Sequence, residues 1–156
     1  MQVELRPVEP GDVDALAAML EDPEVKQWWG VPTPEEDREE VSIGFAILVD
    51  GGLAGWIGYE EETTPDYQSV GFDINVAAEL RERGVGSRAL RLAIDHFRAK
   101  GHHRFTIDPN AANERAIRCY EKVGFKPVGI MRQADRMPDG TRTDALLMDL
   151  LASELE

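Results

Sequence analysis

The sequence predicts an α/β domain built on a mixed β-sheet. Apolar runs typical of strands alternate with segments whose apolar residues recur at helical spacing. A glycine-rich turn at 81–87 lies between a predicted strand and a predicted helix, and a further strand follows that helix. The order strand, helix, strand indicates a parallel crossover within the sheet.

The N-terminal part of the chain is predicted to contain one strand and two helices. Residues 2–8 alternate apolar and polar side chains, which is typical of a strand. Asp12 precedes a helical repeat that ends before Pro23, so Asp12 is the predicted N-cap of this helix. The sequence Thr33-Pro34-Glu35-Glu36 matches a capping box and predicts a second short helix over 34–41.

Three strands are predicted in the middle of the chain. Apolar runs at 43–49 and 53–60 are separated by Asp50-Gly51-Gly52, which is a hairpin signal. A third run, at 68–76, leads directly into the glycine-rich turn.

The C-terminal half is predicted to contain two helices and three strands. The helix after the glycine-rich turn ends near Gly101, and a strand over 103–108 follows. A helix over about 112–122 is closed by Gly124, and two last strands flank the turn at 137–140. One face of the first of these helices is apolar, with Leu90, Ala93, Ile94 and Phe97.

The charge of the chain favours a cationic partner. Its 156 residues include 17 Lys and Arg against 30 Asp and Glu, a formal charge of -13, so we expect no affinity for nucleic acid or for anionic membranes. Acidity that serves only solubility is the alternative. The acidic residues cluster at 35–40 and 60–62, whereas four arginines lie in or near the glycine-rich turn: Arg81, Arg83, Arg88 and Arg91. We therefore expect a cation and a phosphorylated anion to bind at different places.

Composition also bounds the compartment and the domain count. The length suits a single domain over residues 1–156. No apolar run approaches the length of a membrane span, and the N-terminus lacks the features of a signal peptide. Cys119 is the one cysteine, and the three histidines lack metal-ligand spacing. We expect a cytoplasmic protein, monomeric or homodimeric, without a metal site.

The turn Arg81-Glu-Arg-Gly84-Val-Gly86-Ser87 indicates a phosphate site. Backbone N-H groups at the start of a helix point at one spot, and the helix dipole adds partial positive charge there. The turn ends without Gly-Lys-Ser/Thr, and Ala89 stands where a dinucleotide fingerprint needs a third glycine. The prediction is a pyrophosphate site, with a tight strand-to-helix connection as the alternative.

A second motif supports a family resemblance. Together with Arg81-x-x-Gly84-x-Gly86, the segment Asn113-x-x-Ala116-x-x-x-Tyr120-x-x-x-Gly124-Phe125 resembles the Gcn5-related N-acetyltransferases (GNAT) across nearly the full chain. The resemblance implies a mostly antiparallel mixed sheet, flanked by helices, with its parallel crossover at an acetyl-CoA site. The residues implied to bind acetyl-CoA are Ile74, Asn75, Val76, Arg81, Arg83, Gly84, Val85, Gly86, Ser87, Asn113, Ala116 and Tyr120.

Within the family, the chain most resembles the aminoglycoside 6'-N-acetyltransferases. The resemblance lies in Trp28-Trp29-Gly30, Glu60-Glu61-Glu62-Thr63, Gly71-Phe72-Asp73 and 115–122. It departs between Thr63 and Ser69 and in the stretch that begins at Arg132, two regions that we expect to line the acceptor pocket. The implied acceptor is the 6'-amine of an aminoglycoside; a protein N-terminus, a polyamine, or a non-catalytic CoA sensor are the alternatives. The implied substrate-binding residues are Trp28, Glu60, Glu62, Asp73, Asp108 and Tyr120.

Acetyl transfer to an amine needs a base, a site for the developing oxyanion and a proton for the thiolate. By resemblance Asp73 is the candidate base, with its pKa raised by burial or by Asp108. It could instead hold an ammonium group or be a plain exposed strand residue. Tyr120 is the implied acid, with simple core packing as the alternative. A backbone N-H near Ile74 to Val76 is the expected oxyanion site. Because Cys119 has no paired histidine, we expect direct transfer in a ternary complex.

Three further predictions concern the acceptor. Asp108 is implied to bind a ring ammonium, although it could simply start a turn before proline. The Trp28-Trp29 pair could stack on sugar rings or act as a core plug or lid hinge. Neighbours in a strand point to opposite faces, so Glu60, Glu61 and Glu62 cannot all touch one ligand.

Overall fold

The structure is a computed structural model of the chain and describes residues 1–30 and 32–155. Seven strands form one sheet in the order β1-β2-β3-β4-β5-β7-β6. The strands are β1 (Val3–Pro7), β2 (Phe45–Val49), β3 (Gly52–Glu62), β4 (Ser69–Val76), β5 (Arg104–Ile107), β6 (Lys126–Arg136) and β7 (Arg142–Leu151). The helices are α1 (Val13–Leu20), α2 (Pro23–Trp29), α3 (Pro34–Val41), α4 (Val85–Ala99) and α5 (Glu114–Val123).

The predicted fold class is confirmed. Neighbouring strands pair antiparallel except for β4 and β5, which are parallel and joined through α4. Every predicted strand and helix is present, with ends that differ by a few residues. In the described part of the chain, no helix combines the length and the apolar character needed to cross a membrane.

Asp12 occupies the predicted N-cap position of α1, but its side chain makes no capping hydrogen bond to that helix. Its carboxylate instead binds the Arg6 guanidinium at 2.6 and 3.0 Å and the Glu9 N-H at 2.8 Å. Helix α2 was not predicted, because Pro23 was interpreted only as a stop for α1. In the structure the Asp22 side chain accepts from the Glu24 N-H at 3.0 Å, and Pro23 occupies the first helical position.

The helices form one layer on each face of the sheet. Helices α4 and α5 pack on one face, over a core that includes Phe72, Phe97 and Phe105. Helices α1, α2 and α3 pack on the other face around Trp56, which is 2% exposed. Side chains alternate between the two faces along each strand, so β4 directs Phe72 into the first core and Asp73 to the opposite face.

Strands β4 and β5 separate soon after they pair. Their parallel ladder contains only the pairs Val70 with Phe105 and Gly71 with Thr106. Strand β4 nevertheless continues to Val76, still paired with β3 on its other side. Among the described residues, the separation leaves one edge of β4 without a strand partner at the end of the sheet where α4 begins.

Gly58 has a packing role at this end of the sheet. It pairs with Asp73 across β3 and β4, and a Cβ on Gly58 would lie 2.4 Å from the Trp56 ring. The Trp56 indole N-H donates to the Ile43 carbonyl at 2.8 Å, so the ring is held in place. We predict that Gly58→Ala lowers the free energy of unfolding by about 1–3 kcal/mol, measured by urea denaturation.

Gly129→Ala is the matched control for this substitution. Gly129 lies in β6, and a Cβ there would meet no atom within 4 Å. The free energy of unfolding of Gly129→Ala should differ from that of the wild type by less than about 0.5 kcal/mol. Equal effects of the two substitutions would contradict the packing argument.

Candidate active site

The separation of β4 and β5 opens a cleft of about 960 Å³. Its walls come from β4, from the ends of α4 and α5 nearest to it, from α2, and from the β6–β7 hairpin. Ten of the twelve predicted cofactor residues line it: Ile74, Asn75, Val76, Arg81, Gly84, Gly86, Ser87, Asn113, Ala116 and Tyr120. The structure therefore brings the two sequence motifs to one cleft.

The glycine-rich turn presents its backbone to the cleft. Gly84 is the N-cap of α4 and has a φ of 82°, in the left-handed region that favours glycine. The N-H groups of Val85, Gly86 and Ser87 occupy the first turn of α4, where no helical carbonyl is available to accept from them. Four backbone units at the positive end of a 15-residue helix form an anion cradle that fits a pyrophosphate.

Two of the predicted cofactor residues lie outside the cleft lining. The Val85 side chain is 1% exposed and packs in the core, so only its backbone is at the cradle. The Arg83 side chain is exposed on the surface and is absent from the cleft wall. The sequence motif describes a backbone conformation, and it carries little information about where the side chains between the glycines point.

The Arg81 guanidinium is bound within the protein. It donates from Nε to the Val76 carbonyl at 3.1 Å and to carboxylates of Glu24 at 2.9 Å and Asp22 at 3.3 Å. These bonds connect the end of β4 to the start of α2. Arg81 lines the cleft, but the contacts of its guanidinium are those of a residue that positions the turn and α2.

The free edge of β4 faces the cleft with backbone donors. The Asn75 carbonyl oxygen points toward β3, since it lies only 2.3 Å from the position that a Cβ on Gly55 of β3 would occupy. The Val76 carbonyl instead accepts from Arg81, away from β3. Because backbone groups alternate along a strand, the N-H groups of Ile74 and Val76 point to the free edge.

Gly86 leaves room for a ligand beside this edge. A Cβ on Gly86 would lie 3.6 Å from Cys119 Sγ and 3.9 Å from side-chain carbons of Ile74 and Val76. These are ordinary contact distances, so a larger side chain would fill the slot. Opposite this slot, Asn113 caps α5, with its Oδ1 accepting from the Ala116 N-H at 3.3 Å. Gly86, Cys119, Ile74, Val76 and Asn113 all line the cleft.

Carboxylates collect at the other end of the cleft. Asp73 lies on the cleft floor with Asp108, Glu40 and Asp135 in the surrounding wall. Asp73 retains contact with solvent in the cleft, yet the protein atoms around it and the charges of Asp108, Glu40 and Glu60 raise its pKa to about 6. The pKa of Asp108 is also raised, by burial first and then by the charges of Asp135 and Glu60.

Two of these acidic residues were not among the predicted site residues. Asp135 lies on β6, in the stretch from Arg132 that was predicted to line the acceptor pocket, and its side chain lines the cleft. Glu40 comes from α3, where the acidic run at 35–40 was the available signal. The loop between Thr63 and Ser69, the other region predicted to line that pocket, contributes no residue to the cleft among those that the structure describes.

Tyr120 lies where the two ends of the cleft meet. Its ring is buried and packs edge-on to Phe125, with ring centroids 6.3 Å apart. Burial, followed by the neighbouring groups Cys119, Asp73 and Asp108, raises the pKa of the hydroxyl, which keeps it protonated at neutral pH.

The glutamates of β3 divide between the two faces, as predicted. Glu61 points to the α4 side and binds His102 at 2.6 Å and Lys100 at 3.2 Å. Glu60 and Glu62 lie on the Asp73 face but not in the cleft lining, and Glu62 accepts from the Thr64 N-H at 3.0 Å. Glu60 therefore affects Asp73 through its charge.

The tryptophan pair lies at the cleft. Trp28 and Trp29 of α2 both line it. Trp29 also packs edge-on to Trp56, with centroids 6.3 Å apart, whereas Trp28 is the member of the pair that has no such ring contact in the described structure. The Trp28 ring is therefore an apolar part of the cleft wall.

A sequence model of the acetyltransferase (GNAT) domain matches residues 2–126. The chain belongs to the GNAT acetyltransferase family. This acetyltransferase uses acetyl-CoA as its cofactor, and the cradle and slot described above fit the diphosphate and the extended arm of that molecule.

Several characterised proteins are similar to this acetyltransferase. Aminoglycoside N(6')-acetyltransferase type 1 of Klebsiella pneumoniae is 28% identical over 160 aligned positions, covering 85% of this chain and 78% of that protein. The [ribosomal protein bS18]-alanine N-acetyltransferase of Escherichia coli K12 is 27% identical over 126 positions, covering 78% and 80%. A crystal structure of aminoglycoside acetyltransferase AAC(6')-Ib with coenzyme A superimposes with a TM-score of 0.77 at 26% identity, covering 98% and 96%.

The raised pKa of Asp73 predicts a pH-dependent effect on stability. Its folded-state pKa of about 6 exceeds the ordinary value of 3.8, so ionisation of Asp73 weakens the fold as pH rises between these values. We predict that Asp73→Asn has a higher thermal midpoint than the wild type above pH 6, and that the difference disappears below pH 4.

Thermal melts between pH 4 and pH 8 measure this difference. Asp66→Asn, at an exposed carboxylate of the loop between β3 and β4, is the matched control and should leave the pH profile unchanged. An Asp73→Asn profile parallel to that of the wild type would contradict the prediction.

Proposed function

We propose that this protein transfers an acetyl group from acetyl-CoA to an amine of a small polycation, with the 6'-amine of an aminoglycoside as the acceptor. The observation that carries this proposal is the acidic end of the cleft, where Asp73, Asp108, Asp135 and Glu40 surround the position next to Tyr120. Carboxylates this close repel one another, and a ligand with several ammonium groups offsets that repulsion. We infer that a single domain, residues 1–156, carries both sites.

The donor half of the proposal rests on the backbone of the cradle. In the proposed complex, the diphosphate of acetyl-CoA is held by the N-H groups of Gly84, Val85, Gly86 and Ser87. The free edge of β4, Gly86 and Asn113 would hold the extended arm of the cofactor on the side of the cleft toward Asp73. When bound, acetyl-CoA supplies the thioester whose acetyl group is transferred.

The residues of this chain perform three tasks in the proposed reaction. Asp73 accepts a proton from the ammonium group of the acceptor, which leaves a nucleophilic amine. The Ile74 N-H, on the free edge of β4, donates to the acyl oxygen on which negative charge develops. The protonated Tyr120 hydroxyl donates its proton to the sulfur that leaves.

The acceptor assignment draws on the site and on the relatives together. The Klebsiella enzyme acts at the 6' nitrogen of aminoglycosides, and solved structures of AAC(6')-Ib contain ribostamycin or kanamycin. Trp28 offers a flat face to a sugar ring beside the carboxylates. A relative that acts on the N-terminal alanine of a ribosomal protein makes a peptide the competing acceptor.

The test is a thiol-release assay with acetyl-CoA and a panel of amines. The panel contains kanamycin, ribostamycin, spermidine and an alanine-initiated peptide. We expect release with the aminoglycosides at a kcat/KM at least about tenfold above that with spermidine or the peptide. Release with the peptide alone would overturn the acceptor assignment, and release with none of them would overturn the enzymatic proposal.

Asp73→Asn tests the base. Because the amide cannot accept the amine proton, kcat should fall by about 100- to 10,000-fold, while the KM for acetyl-CoA stays within about twofold. For the wild type, kcat/KM should rise with pH through about 6 as Asp73 loses its proton. That limb should be absent from the profile of the variant. A variant with the wild-type kcat would exclude Asp73 as the base.

Tyr120→Phe tests the acid. The substitution keeps the ring contact with Phe125 and removes the proton donor. We expect kcat to fall by about 100-fold or more with little change in the thermal midpoint, because the phenylalanine ring keeps the contact with Phe125. A lower midpoint with normal kcat would assign Tyr120 to packing alone.

A further inference from the structure

Asn110 is a buried amide that the proposed reaction does not use. It follows β5, two residues after Asp108, and is 5% exposed. Its Oδ1 accepts from the Ala112 N-H at 3.0 Å. Its Nδ2 donates to Asp135 Oδ2 at 3.0 Å and to Thr143 Oγ1 at 2.8 Å. Both amide protons are donated and the oxygen accepts one bond, so the side chain is held in one orientation.

The strand that carries Asp135 is irregular at this point. The pairing of β6 with β7 shifts register between Met131 and Asp135, and Gln133 has a φ of 54°. The Gln133 N-H donates to Asp144 Oδ1 at 2.8 Å, which fixes the bulge. Pairing resumes with Asp135 opposite Thr143. Bulges redirect side chains, and here Asp135 reaches the cleft.

Asn110 connects the two carboxylates at this wall of the cleft. Its backbone continues from Asp108, and its amide binds Asp135. The Asp135 charge acts on Asp108 and contributes to its raised pKa. The Ala111 N-H to Asp144 and Leu146 N-H to Pro109 bonds, at 2.9 and 2.8 Å, hold the same loop to β7. Two acidic groups are thereby kept close, although their mutual repulsion favours separation.

We propose that Asn110 is a positioning residue that sets the spacing of Asp108 and Asp135, and thereby makes the acceptor site selective for amines that carry a second ammonium group besides the reacting one. This inference rests on the proposed function, because it concerns the same acceptor site. The reacting amine lies at Asp73, and the second ammonium group binds between Asp108 and Asp135 as a charge-assisted contact.

A double-mutant cycle tests whether Asn110 acts through Asp135. We expect Asn110→Ala to raise the KM for kanamycin about tenfold, with little change in the KM for acetyl-CoA or in the kcat/KM for ethanolamine, a monoamine. In the Asp135→Asn variant, adding Asn110→Ala should not raise the KM for kanamycin further. Asp139→Asn, in the turn of the same hairpin, is the control with wild-type constants.

A second variant, Asp135→Glu, tests the same proposal if Asn110→Ala fails to fold. Asp135→Glu retains the charge but moves the carboxylate away from the Asn110 amide. We expect its KM for kanamycin to approach that of Asp135→Asn. A wild-type KM for Asp135→Glu, or an equal effect of Asn110→Ala in both backgrounds of the cycle, would overturn the proposal.

A carboxyl NMR titration separates this proposal from the proposed function. Asn110→Ala and Asp135→Asn should both lower the pKa of Asp108 toward its ordinary value, because each removes the Asp135 charge from its neighbourhood. If no amine is acetylated by the wild type, the proposed function fails and this titration decides the role of Asn110. An unchanged pKa of Asp108 in Asn110→Ala would then refute it.

Discussion

The site depends on the early separation of two parallel strands. Strands β4 and β5 share only two residue pairs, so the last residues of β4 have backbone groups that no strand satisfies. Helix α4 starts at the same end of the sheet and contributes the unpaired N-H groups of its first turn. Polar backbone groups that the sheet leaves unpaired are available to a ligand. A fully paired β4 would close the cleft and remove these donors.

The two ends of the cleft differ in the source of their charge: the backbone supplies partial positive charge at one end, and carboxylate side chains supply negative charge at the other. The proposed cofactor end presents N-H groups and a helix dipole, whereas the proposed acceptor end presents carboxylates from β4, α3, the end of β5 and the β6–β7 hairpin. The two ends meet at Tyr120, whose buried hydroxyl stays protonated. This division explains why a strongly acidic chain can bind a polyanionic cofactor. The donors for its phosphates come from the backbone, and the acidic side chains lie elsewhere.

Much of this arrangement was readable from local sequence signals. Alternation, capping boxes and the glycine spacing predicted the strands, α3 and the start of α4, because each is set by residues close in the chain. Helix α2 was missed because Asp22-Pro23 signals both the end of one helix and the start of another. The guanidinium contacts of Arg81 with Asp22 and Glu24 join residues 57 or more positions apart. The hydrogen bond from Asn110 to Asp135 depends on a bulge in β6 that no short sequence pattern predicts.

Calorimetric titration of coenzyme A into Gly86 variants tests the central claim most directly. A Cβ on Gly86 meets only ordinary contacts, so Gly86→Ala should fold and bind coenzyme A much like the wild type. Gly86→Leu should bind coenzyme A about 100-fold more weakly, because the side chain beyond its Cβ has to extend into the cleft that Gly86 lines. The melting temperature of each variant without ligand shows whether it folds. Wild-type affinity in Gly86→Leu would show that the cofactor lies elsewhere.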